Sequence, residues 1–500
     1  MQCTLSQSSS VLGNRGPSHY AAFALDIDIL LLKTNICGLA FTCLWSVIFD
    51  SLLTLREGSL LYKYWKDIPV ELKTDFYFFN WTNPEDFYNL SAKPRFEEIG
   101  PYTFWQSEKK VNISWNDNGT VTFRVEKYWR YESGNLNDTI VTMNPVPVGA
   151  SYILRNWNYF IKKGIFIALH PIFRNLQITK TVGELLFEGY PEPLIKIARA
   201  IPLFAKHNFP NWDRFGWVYS RNGSSEFEGT FTMGTGVNST FGQIDSWSGY
   251  QRTPFFNSPC NEVYGSAGQF FERNLKKDSV KVFSTDLRRS VNLTFDREEI
   301  VAGVVGYRYI VDDRLLDNGT IYPENRCFCN GDCLPSGMLN LSNTRHGYPL
   351  FLSLPHFYRA DPYYANLIDG VKPDSNIDEF SVTIEPITGI PVKADAKIQA
   401  SFFVQPIPGV LMFETAPKFM LPVIWTRQTF EIEGLYAVML WILVNFSVIC
   451  ISIGISMVML SLGTFSFITY KRHLAYLRQQ KRLEFLKEQN IPLKTEFIQR

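Results

Sequence analysis

Three textures of hydrophobic and polar positions alternate along the chain. The densest runs from Gly434 to Thr469, where no charged residue interrupts a stretch crowded with Leu, Ile, Val, Met and Phe. A bilayer core takes roughly 20 apolar residues as a helix, so this run predicts a transmembrane helix over 441–468. A second apolar run, Ile36–Leu55, has the length of a span, and its one acid, Asp50, lies near the far end where it can reach the interface. Its rival reading is the apolar part of a cleaved leader. Asp26 and Asp28 stand where a leader carries basic residues, and no small-residue cleavage site follows, so a first span over 36–55 is preferred.

Between the two runs the pattern has period two. Val111, Ile113 and Trp115 precede a Gly-bearing turn at Asn116–Gly119, and Val121, Phe123 and Val125 follow it, which predicts a hairpin. The same alternation recurs at Val291, Leu293 and Phe295. It appears again at Phe380, Val382 and Ile384, before a turn near Thr388 and Gly389 and a further run from Val392. Such strands read as antiparallel sheet. From Ser151 to Pro210 the spacing becomes helical, in NWNYFIKKGIFIALHPIFRN and TVGELLFEGYPEPLIKIARAI.

Charge orients this frame. The segment 470–500 carries Lys471, Arg472, Arg478, Lys481, Arg482, Lys487, Lys494 and Arg500 against Glu484, Glu488 and Glu496, and an excess of Lys and Arg marks the cytosolic side. Residues 1–35 and 470–500 are then cytosolic, and 56–433 form one large loop outside. Ten N-x-S/T sequons fall in that loop: Asn80, Asn89, Asn112, Asn118, Asn137, Asn222, Asn238, Asn292, Asn318 and Asn340. With 46% hydrophobic and 15% aromatic residues the chain can bury a substantial core. Lys and Arg total 49 against 48 acids, a balance that excludes a dedicated nucleic-acid binder. The helical stretch is nevertheless locally basic, with Arg155, Lys162, Lys163, Arg174, Lys180, Lys196, Arg199 and Lys206 against Glu184, Glu188 and Glu192. Its bland reading is a solvated helix face. Its sharper one is a surface for anionic ligands, with Lys162, Lys163, Arg174 and Lys180 as the candidate contacts.

The loop holds Cys260, Cys327, Cys329 and Cys333. An even number outside the cytosol suits disulfides, and four cysteines allow three pairings. A four-thiolate metal site is the rival, disfavoured because C-x-C is tighter than the C-x2-C knuckles of zinc sites. No G-x-S-x-G or H-E-x-x-H is present, and the histidines do not cluster. His356 reads as a structural residue. No catalytic residue, metal or cofactor is expected, and the chain reads as a non-enzyme.

Eight segments in order, FFNWTNPEDF (78–87), EIGPYTF (98–104), TVGELLFEGY (181–190), GTGVNSTFGQIDSWSG (234–249), CFC (327–329), SLPHFYRADP (353–362), TIEPITGIPVKADAKIQ (383–399) and PVIWTRQTFEI (422–432), resemble the class B scavenger receptors. The resemblance implies an α+β architecture: two transmembrane helices flanking an ectodomain with an antiparallel β-barrel core, a helical apex bundle and an internal hydrophobic tunnel. It implies Cys260 paired with Cys327 and Cys329 with Cys333. A third bridge of some relatives is missing on both sides, its positions falling near Leu287 and Thr344. YGSAGQFF (264–271) departs from the family pattern, which puts any contact made by that loop in doubt.

The function implied is a membrane receptor that binds lipid or lipoprotein-like particles at the basic apex and passes lipid to the bilayer. The ligands would be fatty acids, phospholipids, sterols or carotenoids, and homo-oligomers stay open. Each buried CH2 is worth about 0.8 kcal/mol, so an acyl chain needs an apolar path. Two alternatives remain: a two-span channel subunit with a disulfide-bonded ectodomain, and an adhesion or debris receptor without lipid transfer. Pro492 in EQNIPLK occupies the place of the first leucine of the lysosomal relative's sorting signal. The plasma membrane is therefore expected, with lysosomal or endosomal membrane as the alternative.

Overall fold

The computed structural model describes residues 51, 53–170, 176–200, 213–237, 240–329 and 331–488. Two units divide the chain, Ser51–Trp441 and a second comprising 1–50 with 442–500.

The first unit is built on strands. These are β1 Leu72–Trp81, β2 Phe96–Trp115, β3 Thr120–Ser133, β4 Thr139–Met143, β5 Gln177–Thr181, β6 Tyr190–Pro191, β7 Arg214–Phe215, β8 Thr230–Gly234 and β9 Ile244–Trp247. After them come β10 Ser279–Ser284, β11 Arg289–Val301, β12 Val304–Ile310, β13 Leu339–Asn340, β14 Leu350–Ser353, β15 Ser381–Ile384, β16 Pro391–Val404 and β17 Phe419–Glu431. The main sheet runs β10-β11-β12-β15-β16-β17-β1-β2-β3-β8-β9, with β14 pairing β16 off the path and β13 pairing β14. Its strand pairings are antiparallel throughout, as the alternation requires.

The expected hairpins are present. Trp115 pairs with Val121 across the Asn116–Gly119 turn, and Val121, Phe123 and Val125 are all buried. The strands β15 and β16 pair Ser381 with Asp395 around the turn at Thr388 and Gly389.

The two edges of this sheet, β9 and β10, are joined by the segment that departs from the family pattern. Ser266 bridges Gln243 on one side and Val282 on the other. Ile244 N donates to Gly265 O at 2.8 Å, Ser266 N to Lys281 O at 2.9 Å and Phe283 N to Ser266 O at 2.8 Å. Gly265 is required there: its φ is 93°, and a Cβ would lie 2.6 Å from the Lys281 carbonyl carbon. The sheet is thereby nearly closed on itself.

Helices α1 Leu60–Lys66, α2 Pro145–Leu154, α3 Tyr159–Ala168 and α4 Pro193–Ala200 complete the folded unit together with shorter helices and turns. Of the stretch expected to be helical, TVGELLFEGY differs. Residues up to Thr181 form β5 against β4, and Glu184–Glu188 make one π-helical turn.

The longest helix among the described residues, α5, spans Gly434–Glu488. Its Gly434–Leu486 portion has a mean hydropathy of 2.4 over its most apolar window and is the one helix among the described residues long and apolar enough to cross a membrane. The apolar run expected over 441–468 lies inside it, and the helix continues through the first part of the basic tail.

Most of the first span expected at 36–55 lies outside the described residues, and its end needs correcting. Leu53, Thr54 and Leu55 are buried in the folded unit. Leu55 N donates to Thr235 O at 3.0 Å, and Arg273 Nη2 donates to Leu53 O at 2.7 Å. Apolar side chains entering a protein core look the same in sequence as those entering lipid.

The disulfides are Cys260–Cys327 and Cys329–Cys333, so none of the four thiols is left for a metal. Leu287 and Thr344, near which the resemblance set the lost bridge, are both buried.

Candidate functional site

The stretch expected to receive ligands is organised around α2 and α3. Each starts on an asparagine cap: Asn144 Oδ1 accepts from Val146 N at 3.2 Å, and Asn158 Oδ1 from Phe160 N at 3.0 Å. Between them Arg155 stacks 3.6 Å over the Tyr152 ring and donates through Nη2 to Asp332 Oδ2 at 3.0 Å. The Tyr152 hydroxyl hydrogen-bonds the same carboxylate oxygen. Asp332 sits inside the Cys329–Cys333 loop, so the short disulfide holds the acid that fastens the end of α2. Burial and the Asp332 hydrogen bond hold the Tyr152 phenol far above its usual pKa, so it stays the donor.

The candidate cations do not form the expected open set. Lys162 is only 4% exposed, and its Nζ donates to Arg155 O at 2.7 Å. It is removed from the ligand surface because its long stem reaches back to a carbonyl of its own chain. Lys163 is half-buried, with Nζ donating to Tyr159 Oη at 3.1 Å. Lys180 on β5 pairs with Glu184 at 3.2 Å and lies 4.9 Å over the Tyr190 ring. Arg174 lies outside the described residues.

What α3 presents instead is apolar. Phe160 is 79% exposed, and Ile161 and Ile167 are each 55% exposed, while Phe166 points into the core. Charge counting missed this face. The signal for it was present in FIKKGIFIA, which has more apolar residues than one buried stripe can use.

The barrel interior holds a second feature that motif reading missed. Alternate residues of β2 share one face. Tyr102 and Phe104 belong to the larger apolar core, but Gln106, Glu108 and Lys110 follow them on the same side. On β3 the smaller core, with Val121, Phe123 and Val125, gives way to Lys127 before Trp129 packs against the larger core. A polar belt therefore separates two apolar clusters. Gln428 Nε2 donates to Gln106 Oε1 at 3.0 Å, and Gln106 Nε2 donates to Glu108 Oε1 at 3.1 Å. Lys127 reaches Glu228 at 3.0 Å and Glu108 at 3.9 Å. Lys110 is fully buried 3.6 Å from Glu108, and burial brings its ammonium down to about 8.

His356 is a structural pin. Its backbone lies in the left-handed region at φ 54°. Nδ1 is 2.7 Å from Asp378 Oδ1, and Nε2 is 2.6 Å from Glu98 Oε2, which also accepts from Trp425 Nε1 at 2.7 Å. Burial alone would lower its pKa, but the hydrogen bonds to Asp378 and Glu98 outweigh that and raise it to about 9. Both ring nitrogens are occupied, which suits a charged clamp between strands and not a base awaiting a proton.

Among the sequon asparagines, Asn89, Asn112, Asn118, Asn137, Asn222 and Asn292 are exposed, and Asn80 is half-buried. Asn238 lies outside the described residues. Asn318 and Asn340 are corrected: both are buried, and their Nδ2 atoms donate to the carbonyls of Leu334 and Cys329. That leaves neither nitrogen room for a glycan.

Residues 29–472 match the family model described as the CD36 family. Protein peste of Drosophila melanogaster is 37% identical over 392 residues, which is 76% of this chain and 70% of that protein. Scavenger receptor class B member 1 of Rattus norvegicus is 33% identical over 388 residues, covering 76% of this chain and 74% of the relative. Lysosome membrane protein 2 of Homo sapiens is 31% identical over 454 residues, covering 88% and 91%. With a nearly closed antiparallel sheet, one long apolar helix and a match across most of its length, the chain belongs to the CD36 family.

Proposed function

We propose that the protein is a membrane scavenger receptor that takes lipid from lipoprotein-like particles or from solution at the exposed face of α3, and hands it to the bilayer. The observation that carries this reading is the set Phe160, Ile161 and Ile167, held outward on a capped helix. Exposed apolar residues grouped on one element mark an interaction surface, and acyl chains or sterols match their chemistry. Lys163 supplies a cation on the same helix for a carboxylate or phosphate. The names of the relatives, scavenger receptor class B member 1 and lysosome membrane protein 2, fit such a receptor at the cell surface or, alternatively, in the lysosomal membrane. In this reading 56–433 faces away from the cytosol, and the six exposed sequon asparagines carry N-glycans.

A second reading, capture of particles without transfer, is favoured by the belt of Glu108, Lys110, Lys127 and Glu228. An acyl chain passing between the two apolar clusters would have to displace buried ion pairs, which are costly to break.

The test uses the full-length protein. Mass spectrometry of lipids copurifying in mild detergent, together with fluorescent fatty-acid uptake by cells expressing it, should show bound lipid and raised uptake. Surface binding of lipoprotein without any gain in uptake would favour the second reading. Neither lipid nor particle binding would overturn both.

A further inference from the structure

Three arginines gather beside the strand edge at β10, where cations outnumber the two acids, Glu228 and Asp286, that bear on them. Among the described residues, Arg221, Arg288 and Arg345 make no ion pair within 4.0 Å. Contacts bring their segments together: Thr285 Oγ1 donates to Glu228 Oε2 at 2.7 Å, Arg345 Nη2 to Asp286 O at 3.0 Å, and Arg288 Cζ lies 6.0 Å from the Trp247 ring, whose Nε1 donates to Glu228 O at 2.9 Å. The charge of Arg221 accordingly presses on Arg288, and those of Arg288 and Arg221 on Arg345. Burial is the larger cause of the lowering in each case, and it brings Arg345 down to about 10.

The nearby acids are too few and already shared: Glu228 bears on Arg221 and Arg345 as well as Lys127, and Asp286 bears on Arg345. Glu228 is held by Lys127 Nζ at 3.0 Å and by the Thr285 hydroxyl at 2.7 Å. Asp286 is exposed, and its contact with Arg345 is through its backbone oxygen, which accepts from Nη2 at 3.0 Å. Arg221, Arg288, Arg345 and Lys127 therefore face only Glu228 and Asp286.

The guanidiniums are nonetheless held in place. Arg288 has a left-handed backbone, φ 51°, and its Cζ lies 5.1 Å from the Phe255 ring centre and 6.0 Å from that of Trp247. Arg221 Cζ lies 5.2 Å over Phe227. Aromatic faces orient a guanidinium without cancelling its charge. The Arg345 Nε is buried and has no hydrogen-bond partner. Arg288 and Arg345 each follow a buried residue, Leu287 and Thr344, and the Arg345–Asp286 hydrogen bond crosses between those same two segments.

A buried unpaired donor and uncompensated like charges both cost stability unless something anionic completes them. A guanidinium offers a planar fork of N–H donors that grips two oxygens of an oxyanion at once. Three such forks suit a tetrahedral group with several charged oxygens better than a planar carboxylate, which one fork can satisfy. We propose that Arg221, Arg288 and Arg345 form a phosphate-binding site, filled by the headgroup of an anionic phospholipid or by free phosphate. The lipid source rests on the receptor reading above, whereas the phosphate site itself does not.

The test is made on the full-length protein in detergent, titrated with inorganic phosphate against sodium chloride at equal ionic strength and followed by the thermal midpoint. Phosphate should raise the midpoint where chloride does not. Arg288→Gln should weaken phosphate binding about tenfold, the loss of one charge-assisted pair. Arg345→Lys, which keeps the charge and a donor for Asp286 O, should weaken it less, and Arg297→Gln, in an exposed pair with Asp296, should leave it unchanged. Capture by phosphatidic acid vesicles but not phosphatidylcholine vesicles, reversed by free phosphate, assigns the headgroup. Phosphate binding without vesicle capture assigns the free ion. Equal effects of phosphate and chloride, or parental phosphate affinity in Arg288→Gln, would overturn the site, and lipid copurification at α3 would be untouched by either result.

Discussion

The barrel and the α2–α3 stretch belong to one folded unit yet treat lysine in opposite ways. In the barrel, Lys110 is sealed inside with a carboxylate 3.6 Å away, and burial makes its charge costly. On α3, Lys162 is as deeply buried, but its ammonium rests on a main-chain carbonyl at 2.7 Å while Phe160 stands in solvent. The barrel hides its polar groups behind apolar neighbours, and the helix hides a cation beneath an apolar exterior. Charge in a sequence therefore tells which groups must be satisfied, not which surface they occupy.

The two disulfides divide along the same line, so removing them separately should give the largest and clearest contrast. Cys260–Cys327 closes a separation of 67 residues, and chain entropy assigns its loss about 4 kcal/mol. Cys329–Cys333 closes a separation of 4, worth about 2 kcal/mol on the same scale. Urea unfolding of Cys260→Ser/Cys327→Ser should show the greater loss. Cys329→Ser/Cys333→Ser should instead raise hydrogen exchange in α2 and α3, because Asp332 loses the loop that aims it at Arg155 and Tyr152. Equal losses with no local change in exchange would break the distinction between a barrel clamp and a helix clamp.

Next in size is the barrel's histidine pin. The folded pKa of His356, raised to about 9, exceeds the ordinary value of 6.5. Its contribution is therefore complete below about pH 6.5 and is lost as pH rises through 9. The shift corresponds to about 3 kcal/mol at most. Lys110, brought down to about 8, gives the opposite slope: stability returns between pH 8 and the ordinary lysine range. The difference between parent and His356→Gln isolates the histidine, because Lys110 is present in both. The gap in unfolding free energy should be widest near pH 6 and should close toward pH 9.5, and curves that stay parallel would remove the pin.

How far residues alone predict this architecture follows from the same physics. A strand has two faces and a period of two, so Val121, Phe123 and Val125 announced their burial and the hairpin with it. The long apolar helix was equally plain, because lipid is the one solvent that tolerates such a run without charge. The disulfide partners required the family resemblance, since spacing permits three pairings. The closure of the sheet by Ser266 could not be read, because it depends on two edges meeting and on main-chain hydrogen bonds that any residue could make. That Lys162 turns inward was hidden for a related reason. Lys162 and Lys163 are adjacent in sequence, yet one helical step of 100° turns one inward and leaves the other at the surface, and only tertiary packing decides which. Asn318 and Asn340 illustrate the limit again, as a sequon specifies a triplet and not its exposure.

The smallest expected effect on stability tests the helical side of the comparison most directly. Phe160 is 79% exposed and the cap on α3 uses its backbone N–H, not its ring, so Phe160→Ser should leave the thermal midpoint nearly unchanged, within about 0.5 kcal/mol. If the outward face of α3 exists to meet lipid, the same change should reduce copurified lipid and fatty-acid uptake by severalfold. Phe160→Leu should restore much of both, because it keeps apolar area at the same place. A serine variant with parental lipid content would separate the exposed face from lipid capture and move attention to the apolar clusters inside the sheet. A serine variant that unfolds early would mean that this ring packs against something, and the contrast between a satisfied interior and an unsatisfied exterior would then have to be redrawn.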